Sequence, residues 1–114
     1  MPHDIPYKGD VWLASIPEGQ GHEQKGQRPV IIAGCEPRVA MSVIIPTTSN
    51  ASAERFPHTQ KLCSSKHNGL DSDSVVLVFQ IRAIDDARLI HKMGALDPKE
   101  QQAIDALVKD LLRF

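Results

Sequence analysis

The run "GQGHEQKGQRPVII", Gly19 to Ile32, sets a loop rich in groups able to contact an anion or a base directly in front of an apolar, β-branched strand. Working outward, three more runs share that β-branched character: "DVWLASI" at 10–16, "MSVIIPT" at 41–47 and "SVVLVFQIRAI" at 74–84. Asp10 to Ile16 alternates like a half-buried strand, and Pro29 is tolerated because it heads its own run, "RPVIIAG". Strands therefore dominate the expected fold. Ser49 to Asp73 is polar and Ser-rich, which predicts a flexible loop holding one short strand near Gln60 to Cys63 and a turn at "HNG", 67–69. Past Asp85, "RLIHKMGAL" reads as a last short strand broken by Gly94.

A helix follows. Asp97 suits the N-cap, Pro98 the first helical position, and Glu100 can return a bond to the cap, which together make a capping box. Ala103, Ile104, Leu107, Val108, Leu111 and Leu112 then recur at three- and four-residue spacing. That stripe must pack on the sheet or on a partner chain, and packing on the sheet is the simpler expectation.

At 114 residues and 41% apolar content, the chain is expected to form one domain, 1–114, burying roughly two-thirds of its unfolded surface. A net charge of -1 gives no protein-wide field toward nucleic acid or an anionic membrane, so any such binding needs a local patch. One exists: between His22 and Lys66, the bases Lys25, Arg28, Arg38, Arg55, Lys61 and Lys66 face only Glu23, Glu36 and Glu54. Cys35 and Cys63 form no close pair and read as reduced thiols. With no signal pattern in "MPHDIPYKGD" and no membrane-length apolar run, a soluble, cytoplasmic chain is expected.

Most enzyme classes lack their motif here: there is no GxxxxGK[ST], no GxGxxG after a strand, no GxSxG and no HExxH. His3, His22, His58, His67 and His91 lack ligand spacing, so the expected chemistry uses neither metal nor cofactor.

"GDVW" at 9–12, "EQKGQRPVII" at 23–32, "IIPTTSN" at 44–50 and "DSVVLVFQIRAID" at 73–85 occur in an order that resembles the MazF/PemK-type toxins over nearly the whole chain. The resemblance implies a mainly β fold with a C-terminal helix, a small SH3-like β-barrel working as a homodimer. It also implies ribosome-independent cleavage of single-stranded mRNA, and restraint by an antitoxin whose disordered acidic and apolar segment orders over the basic groove.

Two positions match the family's catalytic pair, Arg28 and Thr48. Cleavage by the 2′-hydroxyl needs donors for the phosphorane charge, and the Arg28 guanidinium is a planar, permanently charged fork suited to that task. Thr48 adds a hydroxyl. Arginine is a poor proton acceptor near neutral pH, so Glu23 serves either to orient Arg28 or as the base. His22 has the intrinsic pKa for acid–base work but stands where the family usually has a small residue, and the spacing from Trp12 to Glu23 is slightly long. Lys25 and Gln27 are expected to contact RNA from the same loop, and Ser49 from beside Thr48. Gln80 and Arg82, two apart in the fourth run, are expected to share one strand face, and Phe56 is a candidate for base stacking.

Fold alone does not choose between a ribonuclease, a same-fold toxin that inhibits a protein such as DNA gyrase, and an inactive RNA-binding module. The gyrase-directed branch lacks E-Q-x-G-x-R-P, and an inactive module would be expected to have lost Arg28 or Thr48. The endoribonuclease is therefore the expected function.

Overall fold

The structure, a computed structural model, describes residues 5–17 and 26–114. Three antiparallel strands form its centre: β1 (Asp10–Ile16), β2 (Gly26–Glu36) and β3 (Met41–Thr48). Alternation sends their side chains to two sides, and both sides are covered. Val11, Ile31 and Ile45 enter one apolar cluster, while Trp12, Ala14, Ile16, Val30, Ile32 and Ile44 enter the other. From Trp12 to Ile16 β1 alternates buried and half-buried positions as its pattern predicted, and only Val11 is fully buried on the second face. Double cover also explains the unbroken apolar stretches "VII" at 30–32 and "IIP" at 44–46, all buried, since a strand with a wet face would interrupt them with polar residues.

The expected fourth strand is two. β5 (Ser74–Leu77) and β6 (Arg82–Asp85) are separated by a 3₁₀ turn at Val78–Gln80, closed by the Ile81 N–H donating to the Val78 carbonyl at 3.1 Å. β6 pairs with Met41 to Ile44 of β3, and β5 with Thr47 and Thr48. The turn lets one apolar run serve β3 twice, and no Gly or Pro marks it. With β4 (Thr59–Leu62) and β7 (Leu89–Ala95), the strand order becomes β4-β5-β3-β2-β1-β7, with β6 beside β3. Among the described residues no ladder joins β4 to β7, so the fold is barrel-like without being a closed barrel.

α1 (Pro98–Leu112) begins on the expected capping box: the Glu100 N–H donates to Asp97 Oδ1 at 2.8 Å, and the Asp97 N–H to Glu100 Oε1 at 2.9 Å. Ile104 is buried in the first cluster, with Leu107, Val108 and Leu111 packed against it. The stripe therefore faces the sheet. Leu112, at its end, stays exposed.

Asn68 anchors the turn at 67–69 from a fully buried position. Its Oδ1 accepts from the Ser65 and Leu70 N–H groups, and its Nδ2 donates to the Cys63 carbonyl and to Glu100 Oε2. The turn lies against β7, which runs through Gly94 instead of breaking there. A Cβ on Gly94 would sit 2.4 Å from the His67 carbonyl oxygen, so glycine is what allows two backbones to meet. Cys35 and Cys63 are free thiols, and among the described residues no helix is long and apolar enough to cross a membrane.

Candidate active site

β2 and β3 pair Val30 with Pro46, Ile31 with Ile45 and Ile32 with Ile44. That pairing ends at Val30 and Pro46, with Arg28 two residues before it in β2 and Thr48 two residues after it in β3. The Thr47 hydroxyl, which donates to the Pro29 carbonyl at 2.7 Å, holds the strands together at that point. Alternation puts Arg28 on the side of Val30 and Ile32, and Thr48 on the side of Ile44 and Pro46, so the two share one face. On its other flank Arg28 lies across from Ala14 of β1, whose small side chain leaves room beside a long guanidinium. Both candidates are half-buried. Thr48 Oγ1 accepts the Asn50 N–H at 3.2 Å, which leaves the hydroxyl its own proton to donate.

Thr48 opens onto a cleft of about 380 Å3. Its walls come from the irregular segments on either side: Asn50, Ala53, Arg55 and Phe56 from around the 3₁₀ helix Ala51–Arg55, and Leu77, Phe79 and Gln80 from the end of β5 and the following turn. Asn50 caps that helix by accepting the Ser52 N–H at 3.1 Å. The Phe56 and Phe79 rings meet edge to face with centroids 5.8 Å apart, and the Arg55 guanidinium carbon lies 4.4 Å from the Phe56 ring centre. Two exposed rings and a stacked guanidinium form a surface on which a flat base can lie.

Of the expected RNA contacts, Phe56 and Gln80 therefore meet Thr48 at one cleft. Gln80 and Arg82 do not share a strand, because Gln80 closes the turn and Arg82 opens β6. Arg82 pairs with Ile44 and lies on the same strand face as Ile84, which brings it to Arg28's side of the sheet by a different route. Gln27 is in β2, and alternation turns it away from Arg28. Ser49 is exposed beside Thr48 and does not line the cleft. His22, Glu23 and Lys25 lie outside the described residues. Gly26 opens β2 at φ 86°, a conformation that favours glycine whatever approaches it.

Asn50, Arg55 and Phe79 were missed from the sequence. The signal for Asn50 was its place ahead of "ASAER" as a cap; Phe79 lay hidden in an apolar run taken for continuous strand. Away from the site, at the other end of β2, Arg38 beside Glu36 holds that carboxyl below the usual range, and Glu36 in turn raises Arg38. Among the described residues no three His, Cys, Asp or Glu side chains gather as a metal-ligand set.

A family model described as PemK-like, MazF-like toxin of type II toxin–antitoxin system matches residues 7–112. A relative named endoribonuclease MazF, from Staphylococcus saprophyticus subsp. saprophyticus, is 35% identical over 104 residues, covering 86% of this chain and 83% of that one. Among solved structures, MazF from Deinococcus radiodurans superposes with a TM-score of 0.82 at 21% identity, covering 97% of this chain and 99% of the other. An endoribonuclease in complex with its cognate antitoxin, from Mycobacterial species, gives 0.71 at 18% identity, covering 96% and 97%. These two likenesses speak to fold.

Proposed function

Because the chain belongs to the PemK-like, MazF-like toxins of type II toxin–antitoxin systems, we propose that it cuts single-stranded mRNA without a metal, leaving a 2′,3′-cyclic phosphate and a 5′-hydroxyl. The observation that supports this reading most directly is that Thr48 lines the aromatic cleft two residues past the end of the β2–β3 pairing at Val30 and Pro46, with Arg28 two residues before that end in β2. The 2′-oxygen attacks the adjacent phosphorus, the bond from phosphorus to the 5′-oxygen breaks, and negative charge grows on the non-bridging oxygens in between. Arg28 donates two N–H bonds to that charge and Thr48 an O–H; both groups are held by strands and need no reorganisation as the charge forms. The departing 5′-oxygen gains a proton, and the 2′-hydroxyl gives one up. Glu23, five residues before Arg28, orients the guanidinium in this scheme, with proton acceptance as its other role.

Beside the scissile phosphate, the cleft holds one unstacked base against Phe56 and Phe79, with the Gln80 amide at its edge. Arg82, Ser49, Lys25 and Gln27 contact the strand outside the cleft, and His22 is a further candidate for acid–base work.

The chain works as a single domain in a cytoplasmic homodimer, and its antitoxin lays a disordered acidic and apolar segment over the basic stretch around Arg28. The relative solved with its cognate antitoxin supports that kind of partner. The test is an RNA with one 2′-deoxy sugar at the mapped scissile position, incubated with purified chain in EDTA. Loss of cutting at that position alone, with cyclic phosphate at the ends of the all-ribose control, is the expected result. Cleavage of the deoxy linkage would overturn the mechanism.

A further inference from the structure

We propose that His58 and Asp110 are positioning residues that tie the C-terminal helix to the nucleotide cleft and thereby set how well the cleft holds RNA, an inference that rests on the ribonuclease reading above. His58 stands two residues after Phe56, in the short connection between the 3₁₀ helix Ala51–Arg55 and β4. Two elements bond to it, and its chain neighbour bonds back to a third. Its imidazole Nε2 lies 2.8 Å from Asp110 Oδ2, near the end of α1. Its carbonyl accepts the Val78 N–H at 3.0 Å, which fixes the start of the turn carrying Phe79 and Gln80. The residue after it, Thr59, donates its hydroxyl to the Phe56 carbonyl at 2.9 Å. One residue thus joins both walls of the cleft to the helix.

The backbone conformation points the same way. His58 adopts φ 56°, in the left-handed region, which non-glycine residues take seldom and His more readily than most. That twist is what presents the carbonyl to Val78 and the ring to Asp110 at once. The ring is largely covered, at 25% exposure, whereas Asp110 is 76% exposed, so the imidazole and not the carboxylate is the embedded partner. A polar contact this open adds little to global stability. Any effect of removing it must therefore arise from where the loop sits.

The decisive variants leave His58 and its backbone in place. Asp110→Ala removes the tie, and Asp110→Glu restores a carboxylate at nearly the same distance. His58→Asn is the complement, because Asn accepts the left-handed conformation but is too short to reach Asp110. Amide hydrogen exchange on the free chain is read first: in Asp110→Ala, exchange across residues 50–58 should rise about tenfold while the central strands keep parental protection. Kinetics on the best-cut oligonucleotide from a random RNA pool should then show KM up about fivefold with kcat within about twofold of the parent. Asp110→Glu should recover most of both changes, and His58→Asn should reproduce Asp110→Ala.

Unchanged exchange in residues 50–58 would overturn the tie. So would a loss confined to kcat, an unaltered KM, or a Glu variant no better than Ala. If the parent chain cuts no RNA at all, the ribonuclease reading falls, and the exchange comparison still decides whether Asp110 holds the loop.

Discussion

The centre of the sheet and the walls of the cleft are built by opposite rules. In β1, β2 and β3, backbone ladders satisfy the polar groups and apolar side chains fill both faces, so Val11, Val30, Ile31, Ile32, Ile44 and Ile45 are almost wholly buried. Around the cleft, side chains do the work of ladders. Asn50 caps a 3₁₀ helix, Arg55 Nη1 donates to the Ser52 carbonyl at 2.9 Å, Thr59 bonds the Phe56 carbonyl, and two phenylalanine rings are left partly in water. Regular strands carry both members of the proposed catalytic pair, Arg28 in β2 and Thr48 at the end of β3. The irregular segments leave apolar rings uncovered, and a stacked base is the cover that suits them. The proposed chemistry and the proposed recognition thus sit on different kinds of backbone, which meet at the end of β3.

A scaffold substitution should therefore lower stability without changing turnover per folded molecule, and a cleft substitution should do the reverse. The largest expected effect is on the scaffold side. Ile31→Ala empties a site 1% exposed beneath α1 and should cost about 4 kcal/mol of unfolding free energy, within the usual range for such truncations. Urea titration measures it, and single-turnover rates under folding conditions should stay parental. A rate that falls further than the folded fraction would blur the division.

On the chemistry side, Arg28→Lys keeps the charge and loses the fork. Cleavage should fall on the order of hundredfold, about 2.7 kcal/mol in the transition state, while unfolding free energy shifts by less than about 0.5 kcal/mol. Single-turnover kinetics with saturating enzyme isolate the step. A lysine variant retaining more than about a third of the parental rate would end the catalytic assignment.

Recognition comes next in size. Phe79→Ala removes one ring of the edge-to-face pair and should weaken RNA binding about tenfold, as losing one stacking platform does, with kcat nearly intact. Titration with a 2′-deoxy oligonucleotide that cannot be cut gives the affinity directly. Parental affinity would mean the ring only anchors the loop.

The same division explains what the sequence disclosed. β1 appears over the very residues its alternation marked, Asp10 to Ile16, and buried and half-buried positions alternate along it from Trp12 onward. Arg28 and Thr48 were legible as family positions, but the pairing of the strands that carry them, with Val30 against Pro46, is a register no local pattern states. The break at Val78–Gln80 escaped notice because a short apolar run looks alike as strand or as buried turn, and nothing in "VLVFQI" supplies a turn residue. Phe79 and Arg55 were lost with it, since their partnership with Phe56 exists only once two distant segments fold against each other. Asn68 is a further case. "HNG" announced a turn, yet its buried amide bonding to Glu100 across the chain is a tertiary fact.

The smallest predicted effect tests the scaffold where the sequence was most explicit. Asp97 accepts the Glu100 N–H, and Asp97→Ala leaves that helix-terminal donor without its side-chain partner. The cost should be about 1 kcal/mol, typical of an N-cap, and Asp97→Asn should recover most of it because the amide oxygen accepts the same bond. Glu100→Ala should cost more than Asp97→Ala, since Glu100 also holds the Asn68 amide at 3.3 Å and so links the helix start to the 67–69 turn. Neither change touches the cleft, and both act at the opposite end of α1 from Asp110. Urea titration of the three variants gives the order, and RNA cleavage by each should match the parent once the folded fraction is accounted for. If Asp97→Ala lowered cleavage at full folding, α1 would be transmitting a change from its first turn to its last, and the separation of scaffold from cleft would fail at the helix.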